Sequence, residues 1–202
     1  MTLENKINSL EGWCSIEKAT ILSNLTKQIE NETGVCTGLE IGVYGARSLV
    51  ALGWELHQPS HIFGVDPYSS QASTEYEINT INRDWWASID YNKIKNGAFD
   101  GIKDKRDVIS ILVMKSNEAN KLFNDNLFDV IHQDGNHSDE IACMEVDMWH
   151  SKVKKGGYWI MDDIEWNISM NNLQAVRAYT KLLEKGFIEI SNYKTWAIFR
   201  KL

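Results

Sequence analysis

The chain of 202 residues carries 21 Lys and Arg against 28 Asp and Glu, a formal net charge of -7, with 43% hydrophobic and 24% charged residues. That length suits one α/β domain with a substantial core and is short for two. The acidic balance argues against a phosphate-backbone partner, so no nucleic acid is expected. Cys14, Cys36 and Cys143 show no CxxC spacing, which indicates neither a disulfide framework nor a thiolate zinc site. The N-terminal stretch has no apolar run of signal-peptide kind, and no segment approaches about 18 apolar residues. No membrane partner is therefore expected, and the expected compartment is the cytoplasm.

Residues 1–33 read as an N-terminal segment of one or two helices, with Ile21, Leu25 and Ile29 at spacing four forming an apolar stripe. After Gly34 strand and helix signals alternate. Strands are predicted at 37–43, 61–66, 107–113, 127–133, 157–162, 187–191 and 195–200, and helices at 46–57, 116–125, 138–154 and 170–185. Alternation of this kind implies crossover units and a parallel sheet. The last two strands are separated only by Asn192-Tyr193-Lys194, too short for a parallel crossover, so they form an antiparallel hairpin. The expected fold is α/β: a seven-stranded, mostly parallel sheet with helices on both faces and a C-terminal antiparallel hairpin, in one domain spanning 34–202.

The helix at 138–154 has a detailed signature. Ser138 suits an N-cap, and Asp139 and Glu140 bring negative charge to the helix's positive end. Ile141, Met144 and Met148 share a face; Lys152, Lys154 and Lys155 suit the negative end, with Gly156 as the stop. Residues 67–105 are irregular and aromatic, with Tyr68, Tyr76, Trp85, Trp86, Tyr91 and Phe99. Two readings stand side by side: a helical insertion packed on the sheet, or a lid or substrate wall, since loops beyond strand ends carry specificity.

Two strands end abruptly in acids. Phe128-Asp-Val-Ile-His-Gln runs into Asp134-Gly-Asn-His137, and Tyr158-Trp-Ile-Met runs into Asp162-Asp163. Ligands of open α/β sheets bind beyond the carboxyl ends of the strands. Three clustered carboxylates are costly unpaired, and a hard divalent cation is the usual way to compensate them. Adjacent strand residues point to opposite faces, so Asp162 and Asp163 share one ion only if the strand ends between them; otherwise one of them caps the following segment or pairs with a base. A second constellation is Gly38-Leu-Glu40-Ile-Gly42-Val-Tyr44-Gly45-Ala-Arg-Ser48, an apolar strand running through glycines into a helix. Such a turn brings backbone close to a ligand at a helix N-terminus. Asp66 ends the next strand, where an acid is placed to accept hydrogen bonds from ribose hydroxyls.

Glu40-Ile-Gly42 and Val65-Asp66 resemble the class I S-adenosylmethionine-dependent methyltransferases. The acidic strand ends add a narrower resemblance to metal-dependent O-methyltransferases of the catechol and macrolide-sugar types, over residues 34–200. The resemblance implies a Rossmann-like methyltransferase fold and S-adenosylmethionine as cofactor. It implies Glu40, Gly42 and Gly45 at the methionine end, Asp66 on the ribose and Ser116 or Asn117 beside the adenine. Tyr44, Ser48 and Asp134 complete the cofactor contacts, Tyr44 standing where many members carry another glycine. It further implies a magnesium ion on Asp134, Asp162 and Asp163, and His137 as the general base, an imidazole whose usual pKa suits proton removal at neutral pH. The implied reaction is methyl transfer to a hydroxyl of a small molecule or sugar. A nicotinamide-dependent oxidoreductase shares the cofactor motifs but lacks a complete G-x-G-x-x-G and gives the acids no task. A non-catalytic binding subunit is the third reading. His132, Trp149, Trp159 and Trp196 read as core; Trp166 reads as a pocket wall. The insertion and the N-terminal helices are candidate surfaces for homo-oligomerisation.

Overall fold

Five short apolar runs line up in parallel because strands joined through crossover helices can pair only that way. In the computed structural model, which describes residues 1–164 and 174–202, these are β1 (Thr37–Ile41), β2 (His61–Val65), β3 (Ile109–Leu112), β4 (Phe128–Gln133) and β5 (Val153–Met161). Two C-terminal strands, β6 (Phe187–Asn192) and β7 (Ala197–Lys201), form the expected antiparallel hairpin, β7 pairing with β5. The order across the sheet is β3-β2-β1-β4-β5-β7-β6. Every residue of β4 is buried, as a strand covered on both faces requires.

The chain runs outward from β1 to β3 and then returns to place β4 against β1, so the strand order switches between these two strands. Their carboxyl ends are held together by the Asp134 amide, which donates to the Ile41 carbonyl at 2.8 Å, and the Gly42 amide ties the end of β1 to β2 through the Val65 carbonyl at 2.9 Å. A ligand crevice is expected at such a switch point.

One face of the sheet is covered by α2 (Ile16–Thr33) and α3 (Arg47–Gly53), whose Leu22, Leu49 and Leu52 pack with Ile62. The other carries α8 (Asp139–Trp149) and α9 (Gln174–Glu184), whose Trp149 and Leu182 join Phe128, Trp159 and Phe199. Trp149 and Trp159 are core residues, and so is Trp196 on the first face; Trp166 lies outside the described residues. In α2 the buried stripe is Lys18, Ala19, Leu22, Ser23, Thr26 and Ile29, so the inward face is rotated from the expected one and Ile21 and Leu25 flank it. Thr26 explains part of the rotation, since its hydroxyl donates to the Leu52 carbonyl of α3 at 2.7 Å.

The boundary between α8 and β5 differs from expectation. The helix stops at Trp149 and passes through a 3-10 turn at His150–Lys152, and β5 begins at Val153. Lys154 is a strand residue whose ammonium reaches Asp129 at 2.8 Å, a long-range pair that outweighs the helix-end preference of lysine. Gly156, at φ 76°, lies inside β5, where the register to β4 shifts, rather than ending a helix. Ser138 does occupy the N-cap, yet its hydroxyl makes no capping bond, and its own amide donates to Asn136 Oδ1 at 2.8 Å. The predicted helix at 116–125 is shorter: α7 covers Ser116–Ala119, followed by a 3-10 turn at Asn120–Leu122. The segment 67–105 folds as α4 (Ser70–Ser73), α5 (Thr80–Ala87) and α6 (Tyr91–Gly101), and α1 (Leu3–Asn8) precedes α2.

Candidate active site

The loop after β1 is shaped by one unavoidable glycine. Gly42 has φ 87°, and a Cβ there would lie 2.1 Å from the Asp134 carbonyl oxygen. The next residues are forced into left-handed backbone without being glycine, Tyr44 at φ 45° and Ala46 at φ 71°. Each such residue costs on the order of 1–3 kcal/mol and persists only where its surroundings over-determine it. Asp66 supplies that constraint, its Oδ2 accepting from the amides of Val43 at 3.0 Å and Tyr44 at 2.9 Å. Its Oδ1 accepts from Tyr68 at 2.7 Å. Burial pushes the Asp66 carboxyl above its usual range, against the pull of these three donors. Three bonds leave acceptor capacity for a sugar hydroxyl.

Gly42, Tyr44 and Asp66 line a cavity together with Ser116, Asn117, Asp134 and His137. The insertion supplies the facing wall through Tyr68, Tyr76, Trp86 and Tyr91, so helical packing and wall formation are one arrangement. Sequence reasoning missed the fasteners of that wall. Asn136 Nδ2 donates to the carbonyls of Ala72 and Glu75, both at 2.9 Å, and Lys115 pairs with Glu75 at 2.8 Å. It also missed Glu145, a buried wall residue that accepts from Ser116 Oγ at 2.7 Å and Gln133 Nε2 at 3.1 Å. Burial overrides both donors and raises Glu145 to about 7.

Three expected cofactor contacts do not line this cavity. Gly45 is needed for a different neighbour, since a Cβ there would lie 2.2 Å from the Glu11 carbonyl in the N-terminal loop. Ser48 is buried within α3. Glu40 is fully buried beneath the loop, its Oε1 2.8 Å from His132 Nδ1, and its Oε2 has no hydrogen-bond partner among the described residues. His132 is a core histidine, as expected, but one set among charges: its Nε2 lies 3.5 Å from Asp162.

The acids divide into two sets. β5 ends at Met161, and Asp163 adopts φ 55°, so the two adjacent carboxylates diverge. Asp163 reaches His137 Nε2 at 2.8 Å, and Asp134, His137 and Asp163 offer ligand atoms within 4.8 Å of one another. Asp162, expected as a third metal ligand, instead forms an ion pair with Lys18 of α2. Burial works against the Asp162 anion, but Lys18 and His132 hold its carboxyl well below the usual range. Burial and the Asp162 charge together push Asp134 well above that range. Burial also opposes charge on His137, but Asp163, Asp134 and Asp162 override it and raise the imidazole to about 9. His137 is therefore an imidazolium at neutral pH in this state, not the ready base its ordinary pKa suggests. The two carboxylates Asp134 and Asp163 still fit a hard divalent cation, magnesium or manganese, with the His137 imidazole beside them.

A family model described as a methyltransferase domain matches residues 39–164, which span β1 to the residue after Asp163. The chain belongs to this family and is a class I, S-adenosylmethionine-dependent methyltransferase. The nicotinamide reading is set aside by that membership. Among solved structures, the O-methyltransferase from Bacillus cereus in complex with SAH is similar at TM-score 0.66 and 15% identity, covering 99% of this chain and 90% of that one. TomG from Streptomyces achromogenes, an O-methyltransferase of tomaymycin synthesis in complex with SAM, is similar at TM-score 0.63 and 12% identity, covering 93% and 79%. The O-methyltransferase NovP matches at TM-score 0.66 and 12% identity, covering 93% and 80%. These likenesses establish the fold. No curated protein matches the chain. Among the described residues no helix is long and apolar enough to cross a membrane.

Proposed function

We propose that the enzyme transfers a methyl group to a hydroxyl oxygen of a small molecule or sugar, assisted by a divalent cation on Asp134 and Asp163. One observation carries this reading: Asp134 and His137 stand at once on the wall of the cofactor cavity and in the carboxylate cluster. A reacting hydroxyl held by the cluster is thereby presented to the cavity that Gly42 and Asp66 build. When bound, S-adenosylmethionine supplies an electrophilic methyl group, and the cation lowers the pKa of a hydroxyl and orients it.

The remaining work falls to the chain. Asp66 accepts from ribose hydroxyls while keeping the loop after β1 in place, and Ser116 and Asn117 border the base. Tyr68, Tyr76 and Trp86 exclude water from the cavity and hold the two reactants in one geometry, where most of the rate gain of a bimolecular transfer arises. His137 takes the proton of the acceptor at Nε2. It can do so only once Asp163 is neutralised by a cation, because the same carboxylate otherwise keeps the imidazole charged.

The test is release of S-adenosylhomocysteine from a panel of hydroxylated compounds, with magnesium and with excess EDTA. Chelation should abolish turnover and leave S-adenosylhomocysteine affinity within a few-fold. Full turnover in EDTA would remove the cation from the reaction, and turnover confined to amines or thiols would remove the hydroxyl.

A further inference from the structure

Lys18 sits where an ammonium is doubly disfavoured. It lies in the first turn of α2, at the positive end of the helix, and its side chain is 8% exposed. Ser15 caps that turn by accepting from the Lys18 amide at 3.1 Å, and the ammonium stands 5.4 Å from the Trp196 ring centre. Such a placement persists only with compensating anions: the Asp134 charge acts on the ammonium, and Asp162 pairs with it directly. The two residues are 144 positions apart, so the pair joins the N-terminal helix to the end of β5.

The pair changes the donor set at the acidic cluster. Of the three acids at the strand ends, Asp134 and Asp163 offer ligand atoms beside His137, whereas the Asp162 Oδ2 is taken by Lys18 and lies 3.5 Å from His132 Nε2, which the Asp134 Oδ2 also approaches at 3.9 Å. We propose that Lys18 is a resident cation that competes with the divalent ion for Asp162, leaving Asp134 and Asp163 as the carboxylate ligands and keeping the ion weakly held. This rests on the metal-assisted reading above and adds a residue, outside the methyltransferase-domain match, that sets the affinity for the ion. Lys18 acts here through Asp162; it is a positioning residue. Removing it frees a third carboxylate on the next residue of the same strand end and removes one positive charge from the neighbourhood of Asp134.

The experiment is calorimetric titration of magnesium into protein saturated with S-adenosylhomocysteine, using wild type, Lys18→Met and the double variant Lys18→Met/Asp162→Asn. Carboxylate number and charge tune such sites over orders of magnitude, so Lys18→Met should tighten magnesium by about ten-fold or more. The double variant, which removes both charges of the pair, should stay within about three-fold of wild type. Equal affinity in wild type and Lys18→Met overturns the role of Lys18 while wild-type binding preserves the metal reading. A loss of about a hundred-fold or more in the double variant shows that Asp162 is a ligand and also overturns it. No magnesium binding in any of the three overturns both readings. If Lys18→Met does not fold, the double variant, with no charge left unpaired by the change, decides the matter.

Discussion

The backbone of Gly42 lies so close to the Asp134 carbonyl that a single added methyl group would sit 2.1 Å from that oxygen. The glycine thus sets the spacing between the cofactor turn after β1 and the first acid after β4. Gly42→Ala should cost on the order of 1–3 kcal/mol from the left-handed backbone alone, and more from the contact. S-adenosylhomocysteine affinity should fall with it. Gly34→Ala is the control, because Gly34 has φ 82° and open space around it. That change should cost only about 1–2 kcal/mol, with cofactor affinity unchanged. Denaturant melts and ligand titrations on the two variants check both statements; equal effects on affinity would show that the Gly42 approach is unimportant.

In the proposed function Asp66 links cofactor recognition to the strain in the same loop. Its carboxylate satisfies the amides of Val43, Tyr44 and Tyr68 before any ligand arrives. Asp66→Ala should therefore lower the stability of the unliganded protein by about 1.5–3 kcal/mol or more, as well as weakening the cofactor. A variant that lost affinity with an unchanged melt would show that only the ribose contact mattered.

Glu145 gives a pH signature. Its carboxyl is raised from 4.5 to about 7, burial being the largest cause. An acid with a raised folded-state pKa binds a proton that the unfolded chain has already released, so stability falls as pH rises between these two values. The penalty is fully present above about pH 7 and amounts to about 3 kcal/mol. Glu145→Gln keeps an acceptor for Ser116 and cannot ionise. Its stability relative to wild type should rise from pH 5 to pH 8, as measured by chemical denaturation at a series of pH values. Parallel profiles would show that Glu145 titrates normally.

The strand ends were legible because apolar runs stop abruptly at Asp66, Asp134 and Asp162, and a parallel sheet leaves such residues only one place to go. What remained hidden depends on partners far away in the chain. Lys154 resembles a helix-terminal lysine until Asp129 is seen to hold it in β5. Gly45 resembles a cofactor glycine until Glu11 is seen against it. The diverging fates of Asp162 and Asp163 follow from one left-handed residue and from a lysine 144 positions away, neither of which leaves a local pattern. The insertion's aromatic content pointed to a wall, but its attachment through Asn136 needed the folded geometry.

The His137–Asp163 contact makes a spectroscopic prediction. With Asp163 2.8 Å away, the imidazole should titrate near 9 in the ion-free protein. Asp163→Asn removes the principal charge that raises it, so the midpoint should move down by a unit or more. Histidine ring resonances followed by NMR across pH 5 to 10 provide the measurement. A His137 midpoint near 6.5 in wild type would show that Asp163 does not hold it.

Loading the cluster with an ion must expel protons. In the ion-free state Asp162 is paired with Lys18 and Asp163 with the His137 imidazolium, while burial and the Asp162 charge raise Asp134 well above the usual carboxylate range. Two of the three acids are thus already balanced by a cationic side chain, and a divalent cation on Asp163 gains most when the His137 proton leaves. A cation on Asp163 removes the charge that keeps His137 protonated, so binding at pH 7 should release about one proton per ion from His137. The sign follows directly. Affinity for magnesium should rise with pH until His137 loses its proton at about 9, and fall steeply on acidification. Calorimetry in two buffers of different ionisation enthalpy measures the released protons without reference to turnover. His137→Gln, which has no proton to lose, should release about one fewer than wild type at pH 7. Zero release in wild type, with a pH-independent affinity between 6 and 8, would show that His137 is already deprotonated and that the cation enters a preformed anionic site.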